Sequence, residues 1–100
     1  MQTGELNRDA ILDLFRVEKE TLARLGVRDI ALFGSFARGE QTASSDVDVL
    51  VELADSRFDT YMDVKFFLEE RFGRDVDLVV RDTVKPRLRK HIIEEAIRAA

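Results

Sequence analysis

Two apolar runs bracket a polar stretch that opens on Gly34-Ser35 and closes on Ser45-Asp46-Val47-Asp48. No other feature constrains the fold as much. The first run, Arg28 to Phe33, is nearly continuous in apolar character, which predicts a strand buried on both faces. Gly34-Ser35 ends it, and Ser35 to Arg38 predicts a short helical turn before Gly39. Glu40 to Ser45 is a polar loop. Asp46 to Leu53 is a second strand, with Val47, Val49, Val51 and Leu53 on one face and Asp46, Asp48, Leu50 and Glu52 on the other.

The flanking segments supply helices for this pair of strands. Asn7 or Asp9 caps a first helix through about Leu25, where Ile11, Leu14, Phe15, Leu22 and Leu25 share a face and Gly26 stops it. Asp59 caps a second helix through about Phe72, with Tyr61, Val64, Phe67, Leu68 and Phe72 inward. Gly73 precedes a third strand, Asp75 to Val80. Pro86 fits the first turn of a last helix to about Arg98, with Leu88, Ile92, Ile93, Ala96 and Ile97 facing in. The order is α-β-β-α-β-α. It predicts an α+β fold, a three-stranded mixed sheet packed by helices. The second and third strands flank a helix, so a parallel right-handed crossover suits them.

At 100 residues the chain is expected to be a single domain, 1–100, with its core at about 10–98. The net charge of -4 argues against an extended nucleic-acid face, although metal ions can still bring a nucleotide to an acidic site. Without cysteine there is no disulfide or thiolate site, which fits a reducing cytoplasm. Only one histidine, His91, is present, so a His-rich zinc site is excluded. Met1 to Asp9 is too polar for a signal peptide, and no apolar run reaches the roughly 20 residues of a membrane span.

Asp46 and Asp48 lie two apart on a strand, so both leave the same face with Cα atoms roughly 6.6 Å apart. Two carboxylates at that spacing repel by roughly 2–3 kcal/mol at an effective dielectric of about 20. A cation between them removes the repulsion, and hard oxygen ligands suit Mg²⁺ or Mn²⁺. Alone, the pair reads equally as a solvated strand edge. Gly34 lets backbone N–H groups approach a phosphate, Ser35 adds a hydroxyl donor, and a helical turn starting there favours an anion. Alone, that too is an ordinary turn. The conjunction is more specific, and Asp77, opening the third strand, is a third acid able to converge on the same point. Asp75 is the bystander of that second Asp-x-Asp. The expected geometry is convergence of Asp46, Asp48 and Asp77, facing Gly34-Ser35.

Gly34-Ser35, ten residues, then Asp46-x-Asp48, with Asp77 on a later strand, resembles the nucleotidyltransferase superfamily of the DNA polymerase beta type. Gly34-Ser35-Phe36-Ala37-Arg38-Gly39, Ser45-Asp46-Val47-Asp48 and Lys85-Pro86-Arg87-Leu88-Arg89 resemble more narrowly its minimal nucleotidyltransferase (MNT) proteins. The resemblance spans about residues 10 to 98. It implies an antitoxin paired with a HEPN-domain ribonuclease toxin, transferring AMP from ATP to a tyrosine of that toxin. Gly34 and Ser35 would hold the β- and γ-phosphates. Asp46 and Asp48 would hold two Mg²⁺ ions, and Asp77 would ligate the catalytic metal and orient or deprotonate the hydroxyl.

Other residues keep two readings. Arg38 reaches a phosphate or braces Asp46 and its loop. Ser45 contacts the nucleotide or closes the loop. Arg87, Arg89, Lys90 and His91 form a solvated face or a contact with nucleotide or partner, as does Arg81. Phe36, inside the phosphate turn, packs beneath it or meets the partner. Two alternatives stand beside the enzyme: an antitoxin that masks its toxin without chemistry, and a transferase acting on a small molecule. The short chain argues against the latter, since its acceptor must come from another protein or from a second copy in a homo-oligomer.

Overall fold

The computed structural model describes residues 6–83, 87, 90, 92 and 96–98. Helix α1 (Arg8–Val17) begins as expected at Asn7, whose side chain accepts the Ala10 N–H at 2.9 Å. It does not run unbroken to Leu25. Glu18 leaves helical dihedrals, and a second helix, α2 (Lys19–Leu25), follows it. The Glu18 carboxylate pairs with Arg71 Nε at 3.5 Å, which links the break to a neighbouring helix. The bend allows Leu22 to bury in the same core as Ile11 and Phe15.

Strand β1 (Val27–Phe33) leads into the short helix α3 (Gly34–Arg38), and strand β2 (Val47–Leu53) follows the polar loop. Helix α4 (Phe58–Phe72) connects β2 to β3 (Val76–Val80). The cap of α4 differs from expectation. Arg57 occupies the N-cap with no side-chain bond, Asp59 lies in the first turn, and the Asp55 carboxylate accepts the Arg57 N–H at 3.0 Å.

β1 and β2 pair antiparallel, while β2 and β3 pair parallel across α4, giving the mixed three-stranded core. A two-residue strand, β4 (Ile97–Arg98), adds to the free edge of β1, so the sheet order is β3-β2-β1-β4. Ile97 and Arg98 therefore do not belong to a helix. Pairing with Leu32 and Ala31 of β1 gives them backbone partners that their own sequence pattern does not announce. The preceding helix expected from Pro86 lies mostly outside the described residues.

One face of the sheet is covered by α1, α2 and α4. Leu32, Val47, Val49, Val51, Val76 and Leu78 pack there against Ile11, Phe15, Leu22, Val64 and Leu68. Phe15 meets Phe72 edge-on, with ring centroids 6.2 Å apart. Burial of each such side chain stabilises by roughly 1.5–3 kcal/mol. The strands thus form a stiff floor. Alternation sends Phe33, Asp48 and Asp77 to the opposite face.

Three bonds fix β3 against α4. The Glu69 carboxylate accepts the Val76 N–H at 3.0 Å and, within α4, the Lys65 ammonium at 2.9 Å, and that ammonium also donates to the Val76 carbonyl. Those donors hold its carboxyl below the usual range. Tyr61 donates its hydroxyl to the Leu78 carbonyl at 2.8 Å.

Candidate active site

The parallel register of β2 and β3 sets Asp48 directly beside Asp77. The antiparallel register of β1 and β2 sets Asp48 opposite Phe33, the last residue before Gly34. One acid thus faces another acid on one side and the Gly-Ser turn on the other. Both ladders are formed by strands whose far face is core, so a slip of one residue would bury the acids. The register is specified accordingly.

Gly34 explains why glycine starts the turn. Its φ of 75° lies in the left-handed region, and a Cβ there would overlap the Asp48 carboxylate, standing 2.8 Å from its Cγ. The bare Cα leaves the carboxylate room. Ser35 follows on α3, whose last turn closes through Gly39 N–H to Phe36 O at 3.3 Å and Glu40 N–H to Ser35 O at 2.9 Å. Phe36 is fully buried beneath the turn, which answers its two readings in favour of packing.

Asp46 is held differently. It precedes β2 and is exposed. Ser45, just before it, closes the loop. Its hydroxyl accepts the Thr42 N–H at 2.8 Å, and its own N–H donates to the Thr42 carbonyl at 3.1 Å. Arg74, which sequence reasoning passed over, reaches into this loop from the turn before β3. No pattern announces it, because the groups it meets are main-chain carbonyls.

The carboxyl of Asp48 is pushed up to about 6 from 3.8. Partial burial is the largest cause, followed by the charges of Asp77 and Asp46, and Arg38 opposes them. Arg38 Nε itself donates to Glu40 at 2.8 Å, so the structure places this guanidinium at the end of α3 with an acid of the loop. Among the described residues, no three of His, Cys, Asp and Glu stand close enough together to hold a metal ion as placed. The donor set nevertheless fits a hard divalent cation. It is all carboxylate oxygen, and its members repel one another in a way a cation would relieve.

Two clefts lie elsewhere. One of about 300 Å³ has a mixed lining that includes Phe15, Arg16, Lys19, Leu22, Arg28 and Ile30, and one of about 460 Å³, more apolar, is lined by Leu53, Phe58, Tyr61 and Val80. Arg87 and Lys90 are exposed, while Arg89 and His91 fall outside the described residues. No helix among the described residues is long and apolar enough to cross a membrane.

Comparison with known proteins gives the family and the fold. Residues 14–99 match the model of the nucleotidyltransferase domain. The protein adenylyltransferase MntA of Thermococcus cleftensis is 36% identical over 81 residues, which cover 80% of this chain and 82% of that protein. A solved structure provisionally assigned as a minimal nucleotidyltransferase superposes with a TM-score of 0.81 at 32% identity, covering 93% of this chain and 96% of the other. A chain in the crystal structure of a toxin–antitoxin with AMP-PNP superposes with a TM-score of 0.68 at 26% identity, covering 95% and 73%. With its mixed sheet, its Gly34-Ser35 turn and its paired acids, the chain belongs to the nucleotidyltransferase domain family in its minimal form and is a nucleotidyltransferase.

Proposed function

We propose that this nucleotidyltransferase is an antitoxin that transfers AMP from ATP to a hydroxyl, a tyrosine, of a HEPN-type ribonuclease toxin and thereby neutralises it. The observation that carries the reading is the in-register pair Asp48 and Asp77, opening beside the bare Cα of Gly34. A relative named as a protein adenylyltransferase and a similar fold in a toxin–antitoxin structure with AMP-PNP support the choice of nucleotide and the class of acceptor.

Each residue has a part. Gly34, whose bare Cα seats the Asp48 carboxylate, presents the turn to the β- and γ-phosphates, and Ser35 donates its hydroxyl to one of them. Arg38, from the end of α3, and Ser45, from the loop, border the same phosphates. Asp46, Asp48 and Asp77 would hold two Mg²⁺ ions, which supply Lewis-acid charge for an in-line displacement. Asp77 is exposed, which leaves it open to a side chain from another protein. It orients the acceptor hydroxyl and takes its proton on a carboxylate oxygen. The hydroxyl oxygen bonds to the α-phosphorus, the bond from that phosphorus to the bridging oxygen breaks, and pyrophosphate leaves with the electron pair.

The test is to incubate the protein with α-labelled ATP, Mg²⁺ and the product of its neighbouring gene. Label should pass to the neighbour, and Asp46→Ala/Asp48→Ala should lower the rate by at least about a thousandfold. Neutralisation retained by the double variant with no label transferred would replace chemistry by masking.

A further inference from the structure

Asp48 and Asp77 are held by ladders, but Asp46 stands before the first residue of β2 and needs another anchor. Arg74 supplies one. Its Nη1 donates to the carbonyls of Ser45 at 2.8 Å and Ala43 at 3.1 Å, with that of Thr42 at 3.4 Å. Its guanidinium carbon lies 5.3 Å from the centroid of the buried Phe36 ring. One side chain therefore contacts the turn that carries Ser35 and the loop that leads to Asp46. Its own backbone lies two residues before β3, which carries Asp77. Beside it, Val47 N–H donates to the Asp75 carbonyl at 3.0 Å, closing the start of β2 onto the start of β3.

The carbonyl of Ser45 belongs to the peptide plane that also contains the Asp46 N–H and Cα. With the Val47 N–H held by the Asp75 carbonyl, fixing that oxygen anchors the peptide planes on both sides of Asp46 and so sets the direction from which its side chain departs. The Arg74 bond is charge-assisted, and the planar guanidinium offers several donors at set angles while it lies over an aromatic ring within cation–π range. A lysine keeps the charge but not the fork.

We propose that Arg74 is a positioning residue that sets Asp46 for metal binding, tying the Thr42–Ser45 loop to the phosphate turn. The proposal rests on the reading of Asp46, Asp48 and Asp77 as the metal site. It requires no contact between Arg74 and the nucleotide.

The test combines amide hydrogen exchange with Mn²⁺ titration of the nucleotide-free protein, for wild type, Arg74→Ala, Arg74→Lys, Asp46→Ala and the Arg74→Ala/Asp46→Ala pair. In Arg74→Ala, amides of residues 42–47 should exchange at least about tenfold faster while those of β1 and α4 are unchanged, and Mn²⁺ should bind about tenfold more weakly. Arg74→Lys should resemble Arg74→Ala. The pair should bind no more weakly than Asp46→Ala alone, since both changes remove the same ligand. Wild-type Mn²⁺ affinity in Arg74→Ala, full additivity in the pair, or full rescue by lysine would each overturn the proposal and leave the site reading standing. A wild-type protein that binds no Mn²⁺ would overturn the site reading and the proposal with it. Should Arg74→Ala fail to fold, Arg74→Lys with its retained charge and stem carries the same comparison.

Discussion

Asp48 and Asp77 sit on adjacent strands whose opposite faces are core, whereas Asp46 sits at the end of an exposed loop. The first two are placed by many cooperating backbone bonds and by the burial of Val47, Val49, Val76 and Leu78. The third depends on a small set of side-chain bonds from Ser45 and Arg74. The difference teaches that one catalytic constellation can have a stiff half and an adjustable half. Loosening should therefore begin at Asp46, and loss of chemistry without loss of fold should be easiest at Asp48 and Asp77.

The largest expected effects follow from that division. Asp48→Asn or Asp77→Asn should lower AMP transfer by at least about a thousandfold. The melting temperature should hold or rise, because each change removes a charge from a repelling pair. A marked fall in melting temperature would show that the acids hold the sheet together instead. Gly34→Ala comes next. The added methyl collides with the Asp48 carboxylate and meets a positive φ, so it should cost about 1–3 kcal/mol in denaturant unfolding. Transfer should fall by about a hundredfold or more, because the Asp48 carboxylate is pushed from its place.

A smaller effect is read in pH. The Asp48 carboxyl has a folded value of about 6 against 3.8 unfolded, so the folded chain holds its proton more tightly. Its contribution to stability is complete below 3.8 and is lost as pH rises through 6. Above that range, metal-free Asp48→Asn should be more stable than wild type by about 1 kcal/mol once solvent screening is allowed for. The difference should shrink toward pH 4. Urea unfolding at pH 4 and at pH 7.5 checks both points. The smallest effect belongs to Ser45→Ala, which deletes the acceptor for the Thr42 N–H. It should cost about 1 kcal/mol or less and change transfer severalfold.

What the sequence disclosed follows the same line between local and distant causes. The Gly34-Ser35 turn, the Asp46-x-Asp48 spacing and Asp77 at the head of an apolar strand are local patterns, and their elements form close to where expected, except that β2 starts at Val47 and leaves Asp46 in the loop instead of on the strand. The parallel pairing of β2 and β3 follows from the helix between them. Arg74 was not legible, since its partners are carbonyls 29 to 32 residues away, and every residue has a carbonyl. Nor was β4, because Ile97 and Arg98 are a strand only through the edge of β1. The break at Glu18 carries neither glycine nor proline, and its carboxylate pairs with Arg71, distant in sequence. The capping of α4 escaped for a similar reason: Asp55 bonds outside the helix, while Asp59 falls within it.

The central claim is that Gly34-Ser35, Asp46, Asp48 and Asp77 form one metal–nucleotide site. Paramagnetic broadening of backbone amide signals by Mn²⁺ in the presence of ATP tests it most directly. Broadening should centre on Gly34, Ser35, Asp46 to Asp48 and Asp77, and should vanish in Asp48→Asn. Broadening centred on the cleft of Phe15, Lys19 and Ile30, or persisting unchanged in Asp48→Asn, would contradict the account.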